Sequence, residues 1–305
     1  MKKTLLLFVI MLILLITTGC TNQNVDTSKL NVVSSFYPIY IATSNIIDGA
    51  NNVELTNLTA PSTGCLHDYQ ITTQDMVKLS TADILIINGD GMESFVDKVA
   101  QTYSNINIIN ASEGIKENHE ELIAHEENHD EHEHNHEENS HYWVSISLYI
   151  EQVKNIKNEL VKIDSQNADI YEKNANIYIE KLENLKAKMH SEVDDLENKN
   201  IVTFHEAFSY FAEEFNLNVV GVIEREPGTY PSSREIADII KEIKSKNVNA
   251  IFVEPQYSRV AADAIARETS VKVYNLDPIV TGKLEKDAYI KIMEQNLMVL
   301  KEALQ

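Results

Sequence analysis

Cysteine is nearly absent from this chain. Only Cys20 and Cys65 occur among its 305 residues, which excludes a small domain stapled by several disulfides. Stability has to come from burial. Basic charge is also scarce. Lys and Arg number 26 against 47 Asp and Glu, a formal net charge of −21, and that balance excludes nucleic acid as a partner. Long apolar runs are missing as well. The run from Leu5 to Ile16 has 12 residues, well short of the roughly 20 a spanning helix needs. Proline and glycine do not occur between Ser165 and Glu197, so nothing in that stretch breaks a helix.

The N-terminus carries a targeting pattern. Lys2 and Lys3 precede the apolar run, and Thr17-Thr18-Gly19-Cys20 follows it. Small residues before a cysteine resemble the bacterial lipoprotein box, with Thr17 where Leu is commonest. On this reading residues 1–19 are a signal peptide and Cys20 is lipidated. Residues 20–29 then form a polar tether. The mature chain has 286 residues (305 minus 19), enough for one large domain or two lobes. Cys65 is then the only thiol left, which rules out an intrachain disulfide.

Strand-like and helix-like segments alternate twice. Ile84–Asn88 is a continuous apolar run of the kind parallel sheets bury on both faces. Ser232-Ser-Arg-Glu235 is a capping box that opens a helix. Two such stretches predict an α/β protein of two lobes with mostly parallel sheets flanked by helices. The N-terminal lobe is expected over 30–163 and the C-terminal lobe over 199–305. Between them, 164–198 predicts one long spine helix with a narrow apolar stripe. Helices are also expected at Glu93–Gln101 and from Leu284. A candidate metal site falls in the interlobe cleft.

Three histidines stand alone in segments that read as folded. His67 follows a strand at Val53–Leu58, His205 comes directly after Ile201–Phe204, and His141 closes a loop that leaves a strand at Ile106–Asn110. Asp277 lies just after Val271–Asn275. In open α/β sheets, ligands sit beyond the carboxyl ends of the strands. The four residues, 74, 64 and 72 positions apart, thus converge on one edge. Three neutral imidazoles and an oxygen ligand suit four-coordinate Zn²⁺, whereas Mn²⁺ prefers more oxygen. Each residue also has a structural role open to it. A histidine after a strand can cap or hydrogen-bond, and an Asp before Pro278 can start a turn. Cys65, two positions before His67, is a further candidate but reads more simply as a small buried thiol. His190, on the spine helix, reads as solvated.

The motifs Gly64-Cys-Leu-His67-Asp-Tyr-Gln, Ser140-His141-Tyr-Trp143, Phe204-His205-Glu-Ala-Phe-Ser-Tyr-Phe211, Glu226-Pro-Gly-Thr-Tyr-Pro-Ser232, Ile251-Phe-Val-Glu-Pro-Gln256 and Asn275-Leu-Asp277-Pro278 come in the order seen in zinc- and manganese-binding lipoproteins of ABC importers. The chain resembles the zinc branch, the high-affinity zinc-uptake binding proteins, over its whole mature length. The resemblance implies Zn²⁺ ligands at His67, His141 and His205, with Asp277 as fourth ligand or near neighbour. It also implies an ABC transporter permease as partner, a monomeric state, and a lipid-anchored location on the outer face of the cell membrane. Two departures stand out. The segment before Trp143 lacks the usual Asp-Pro-His pattern, and Cys65 replaces the small or Pro-flanked residues common before the first histidine.

Six further histidines, His119, His125, His129, His132, His134 and His136, crowd residues 117–138 with ten acidic side chains and no basic one. So polar a tract cannot offset the entropy of ordering and predicts a mobile, low-affinity metal trap beside the cleft. Its two H-E-x-x-H matches lack the apolar flanks a protease helix needs. No enzyme activity is expected. A surface zinc hydrolase would need a positioned base, for which Glu206 is the only obvious candidate. The same residues would also suit a manganese or iron protein on this scaffold, or an adhesin with a structural metal.

Overall fold

The computed structural model describes residues 29–67, 69–118, 139–223 and 231–305. It contains two four-stranded, all-parallel sheets. The first takes β1 (Leu30–Ser34), β2 (Val53–Asn57), β3 (Ile84–Ile87) and β4 (Asn107–Asn110) in the order β2-β1-β3-β4. The second takes β5 (Asn200–Thr203), β6 (Asn218–Val222), β7 (Ala250–Val253) and β8 (Lys272–Asn275) in the equivalent order β6-β5-β7-β8. The expected two-lobed α/β architecture is therefore present. The central strands β3 and β7 are apolar throughout, as burial on both faces requires, and are buried at all four positions.

The first lobe carries α1 (Tyr37–Ile46), α2 (Thr73–Leu79), α3 (Val96–Thr102), α4 (Ile115–Asn118) and α5 (Ile146–Ile163). The second carries α7 (Ser209–Glu214), α8 (Ser233–Lys246), α9 (Val260–Thr269) and α10 (Ala288–Leu304). Between the lobes runs α6 (Ala168–Val193). Its 26 residues make it about 39 Å long, shorter than the sequence suggests. The start differs because Ser165–Asn167 form a 3-10 turn, in which the Asp164 carboxylate accepts from Asn167 Nδ2 and Tyr171 Oη. The buried stripe Tyr171, Ala175, Tyr178, Leu182, Leu185, Met189 and Val193 stops where the chain turns polar. This helix packs on α1 and α5 of one lobe and on α10 of the other.

One core runs through both lobes. Hydrogen bonds cross between them as well. Trp143 Nε1 donates to Pro278 O at 2.7 Å, and Tyr289 Oη donates to Trp143 O at 2.9 Å. Tyr37 Oη donates to Lys283 O at 2.9 Å. Glu214, at the end of α7, caps the start of α5 across the boundary. Its carboxylate accepts from Ile146 N (2.7 Å), Ser147 N (3.1 Å), Ser145 Oγ (2.8 Å) and Ser147 Oγ (2.6 Å). Lobes tied this way resist wide hinge opening.

Candidate metal centre

His205 occupies the second position after β5, with extended backbone, and begins a 3-10 turn at Glu206–Phe208. Strand β5 has β6 on one side and β7 on the other, so the chain order reverses there. That is where an open parallel sheet leaves a crevice for a ligand. Glu254 comes directly after β7 at the same edge. Its Oε1 lies 3.3 Å from His205 Nδ1, and Gln256 Nε2 holds its other oxygen at 2.7 Å. Both side chains are buried, yet neither His205 Nδ1 nor Glu254 Oε1 has a well-aligned hydrogen bond. Burial raises the Glu254 carboxyl above its ordinary range, and His205 partly offsets that.

His141 is held from several sides. Asn88 Nδ2 donates to Ser140 O at 2.9 Å, and Gln152 Nε2 fixes Asn88 Oδ1 at 2.7 Å. Asn139 Oδ1 accepts from the His141 backbone N at 3.1 Å and lies 2.8 Å from His141 Nδ1. An oxygen already accepting from one N–H must also accept from the ring. Nδ1 therefore carries the proton, and the Nε2 lone pair is free to bind metal. Tyr210 Oη, from the second lobe, holds Asn139 O at 2.8 Å. Trp143 packs its ring 5.2 Å from the imidazole. Burial, with His205 and His67 close by, holds the His141 pKa well below the ordinary value. The imidazole is thus kept in the neutral form that a metal needs.

His67 lies in the loop between β2 and α2. The loop is anchored by fully buried Leu66 and shaped by Gly64, whose φ of +88° suits glycine. His67 Nε2 sits 3.3 Å from His141 Nε2, and the His141 and His205 ring centroids are 5.1 Å apart. Two nitrogens bound at about 2.0–2.1 Å to one tetrahedral zinc lie about 3.3–3.4 Å apart. The His67–His141 pair thus already has the spacing of two ligands to one ion. Among the described residues, no set of three or more His, Cys, Asp or Glu side chains is assembled around a metal position; an incoming ion would have to draw the remaining donors in.

Asp277 follows β8 at the same edge. Its Oδ1 accepts from Ile279 N at 2.8 Å, and Asn296 brackets its backbone at 2.9 and 2.8 Å. The turn-starting role is therefore real. Burial raises its carboxyl, and the Glu254 charge adds to that. Cys65 Sγ lies 3.7 Å from His141 Nε2; burial pushes the thiol well above its ordinary range, with the Glu254 charge contributing. His190 is not simply solvated. Its Nδ1 lies 3.0 Å from Asp194 Oδ2, and its ring packs 4.8 Å from Phe215. Cys20, the histidines from His119 to His136 and the motif start at Glu226 lie outside the described residues.

Sequence reasoning missed Asn139 and Glu254 as site residues. Glu254 could have been found, because it follows an apolar strand at the same carboxyl edge as His205. Asn139 offered no comparable signal; its role depends on where its oxygen points.

Two parallel-sheet lobes across one long helix, with imidazoles gathered at facing sheet edges, define a two-lobed solute-binding protein. The model of the ZnuA family, described as zinc-uptake complex component A periplasmic, matches residues 32–303. The chain belongs to that family. It is 35% identical to the high-affinity zinc uptake system protein ZnuA of Bacillus subtilis, over 99% of this chain and 98% of that protein. Among solved structures, FpvC of Pseudomonas aeruginosa in complex with Mn²⁺ is 28% identical, with TM-score 0.78, over 91% of this chain and 99% of that one. Zn(II)-bound AdcA of Streptococcus pneumoniae is also 28% identical, with TM-score 0.73, over 91% of this chain and 58% of that one. The chain spans 61% of the length of the streptococcal zinc-binding relatives it matches.

Proposed function

We propose that this protein captures Zn²⁺ outside the cytoplasm and delivers it to the permease of an ABC importer. The observation that carries this is the 3.3 Å approach of His67 Nε2 to His141 Nε2 beside His205, with the His141 proton fixed on the far nitrogen by Asn139. His67, His141 and His205 supply three neutral imidazoles, and Asp277 is the fourth ligand considered from sequence. Zinc is cargo here. Its binding joins donors from both lobes, and the cross-lobe hydrogen bonds keep the accompanying movement small. The permease then distinguishes the loaded surface from the empty one.

The rest of the assignment follows from the sequence pattern. Residues 1–19 direct export, and Cys20 carries the lipid that holds the monomer at the cell membrane. The six loop histidines, His119, His125, His129, His132, His134 and His136, gather zinc weakly and raise its concentration near the cleft. The site binds and does not turn over. Glu206, the base a hydrolase would use, is exposed at the start of its 3-10 turn. A manganese protein is the second reading, favoured by the Mn²⁺ complex of FpvC on the same scaffold.

The test is uptake. In a bacterium lacking its own zinc-binding component, expression of this chain with its permease restores growth under zinc chelation, and a His205→Ala chain does not. Rescue by the variant, or rescue only under manganese limitation, refutes the assignment.

A further inference from the structure

The fourth donor need not be the carboxylate the family pattern suggests. Asp277 has one oxygen committed to Ile279 N, and Asn296 fixes its backbone from both sides. A different atom already lies in the pocket. Cys65 Sγ is 3.7 Å from His141 Nε2, the nitrogen that faces His67 Nε2 at 3.3 Å. A tetrahedral zinc with Zn–S about 2.3 Å and Zn–N about 2.0–2.1 Å sets sulfur and nitrogen about 3.5–3.6 Å apart. Each of the two separations is therefore within a few tenths of an ångström of that between two donors to one zinc, and an ion would have to draw the donors about a common point. A second observation concerns His205, the donor from the other lobe. Glu254 Oε1 and His205 Nδ1 are buried, face each other at 3.3 Å and lack an aligned hydrogen bond. That pair is poised to align once His205 turns its other nitrogen onto an ion.

We propose that Cys65 is a zinc ligand, so that the site is His67, His141, His205 and Cys65, with Asp277 as a neighbour that shapes the loop. The inference rests on the zinc-capture reading above. As the Zn–S bond forms, the S–H bond breaks and its proton passes to solvent; no oxidant takes part. A thiolate in the shell selects zinc over manganese, because soft sulfur suits Zn²⁺ and Mn²⁺ favours oxygen.

Cobalt is the probe. The full chain with Cys20→Ser leaves Cys65 as its only thiol. Adding Co²⁺ should give a near-ultraviolet thiolate-to-cobalt charge-transfer band that saturates at one ion per chain and disappears when Zn²⁺ displaces it. Zinc should also protect Cys65 from alkylation by N-ethylmaleimide. Adding Cys65→Ser should abolish the band and weaken zinc at least about 10-fold, the lower end of what even an outer-shell change costs. Tight binding of one zinc with no charge-transfer band and unchanged alkylation overturns the proposal and leaves zinc capture standing. No tight zinc binding at all overturns both. Because the band and the protection are read on a chain that retains Cys65, misfolding of the serine variant leaves the test intact.

Discussion

Replacing Glu214 by alanine removes one carboxylate and strands four donors. Two are the first backbone N–H groups of α5, from Ile146 and Ser147, and two are the hydroxyls of Ser145 and Ser147. The hydroxyls can rotate toward other acceptors. The backbone N–H groups have no carbonyl to reach, because they open a helix. Each hydrogen bond to a charged acceptor contributes about 1.5–3 kcal/mol, and the carboxylate also opposes the positive end of the helix dipole. The expected loss is therefore about 3–6 kcal/mol, from the two backbone donors alone. At roughly 2–4 °C per kcal/mol for a chain of this size, the metal-free protein should melt on the order of 10 °C lower, followed by circular dichroism. Glu214→Gln should fall between, since an amide keeps one acceptor and turns an NH₂ toward the second set of donors. Glu159→Ala is the control, because that half-exposed carboxylate pairs with Lys162 on the surface and should matter by less than about 1 kcal/mol. Since Glu214 ties the helix after His141 to the helix after His205, zinc affinity should fall as well. A melting point within about 2 °C of the parent would refute the idea that this cap holds the lobes in register.

Burial pushes the Glu93 carboxyl up to about 6, against backbone hydrogen bonds from Asn88 and Gly89 that lower it. A raised folded pKa means its contribution to stability is full below about pH 4.5 and is lost as pH rises through about 6. The unfolding free energy of the parent relative to Glu93→Gln should therefore drop by about 2 kcal/mol between about pH 4.5 and 7.5; a pH-independent difference contradicts this. Asn139→Ala frees the His141 tautomer and should weaken zinc about 10–100-fold in competition titration with little change in melting point, whereas Asn139→Asp should restore binding; equal loss in both variants contradicts the orienting role. Deleting residues 117–138 should leave one tight zinc per chain and lower the total bound, and an unchanged stoichiometry in calorimetry would mean that the loop gathers no metal.

Strand and helix positions were legible wherever burial is uniform. The run beginning at Ile84 reads as a buried strand because every side chain of β3 is buried. Ser232 and Glu235 cap α8 reciprocally, as their spacing predicts. Boundaries failed where side chains bond back to the main chain. Glu93 looks like a first helical residue, but its carboxylate accepts from Asn88 and Gly89, so α3 starts only at Val96. The last helix likewise begins at Ala288, after the turn in which Glu285 O accepts from Ala288 N. The gathering of His67, His141 and His205 was legible in outline, because a residue placed beyond a strand is carried to the sheet edge by the fold itself. The approach of Cys65 to His141 was not, since the two are distant in sequence, and Asn139 was not, since its role depends on where its oxygen points; Glu254 beside His205 did carry a signal, its place after an apolar strand at the same edge.

Zinc held in this cleft by imidazoles from both lobes is tested most directly by competition titration of the metal-free chain with Zn²⁺ and with Mn²⁺, beside His205→Ala. Tight zinc binding that the variant loses, with weak manganese binding throughout, is the expected result. A manganese preference, or zinc binding indifferent to His205, would contradict it.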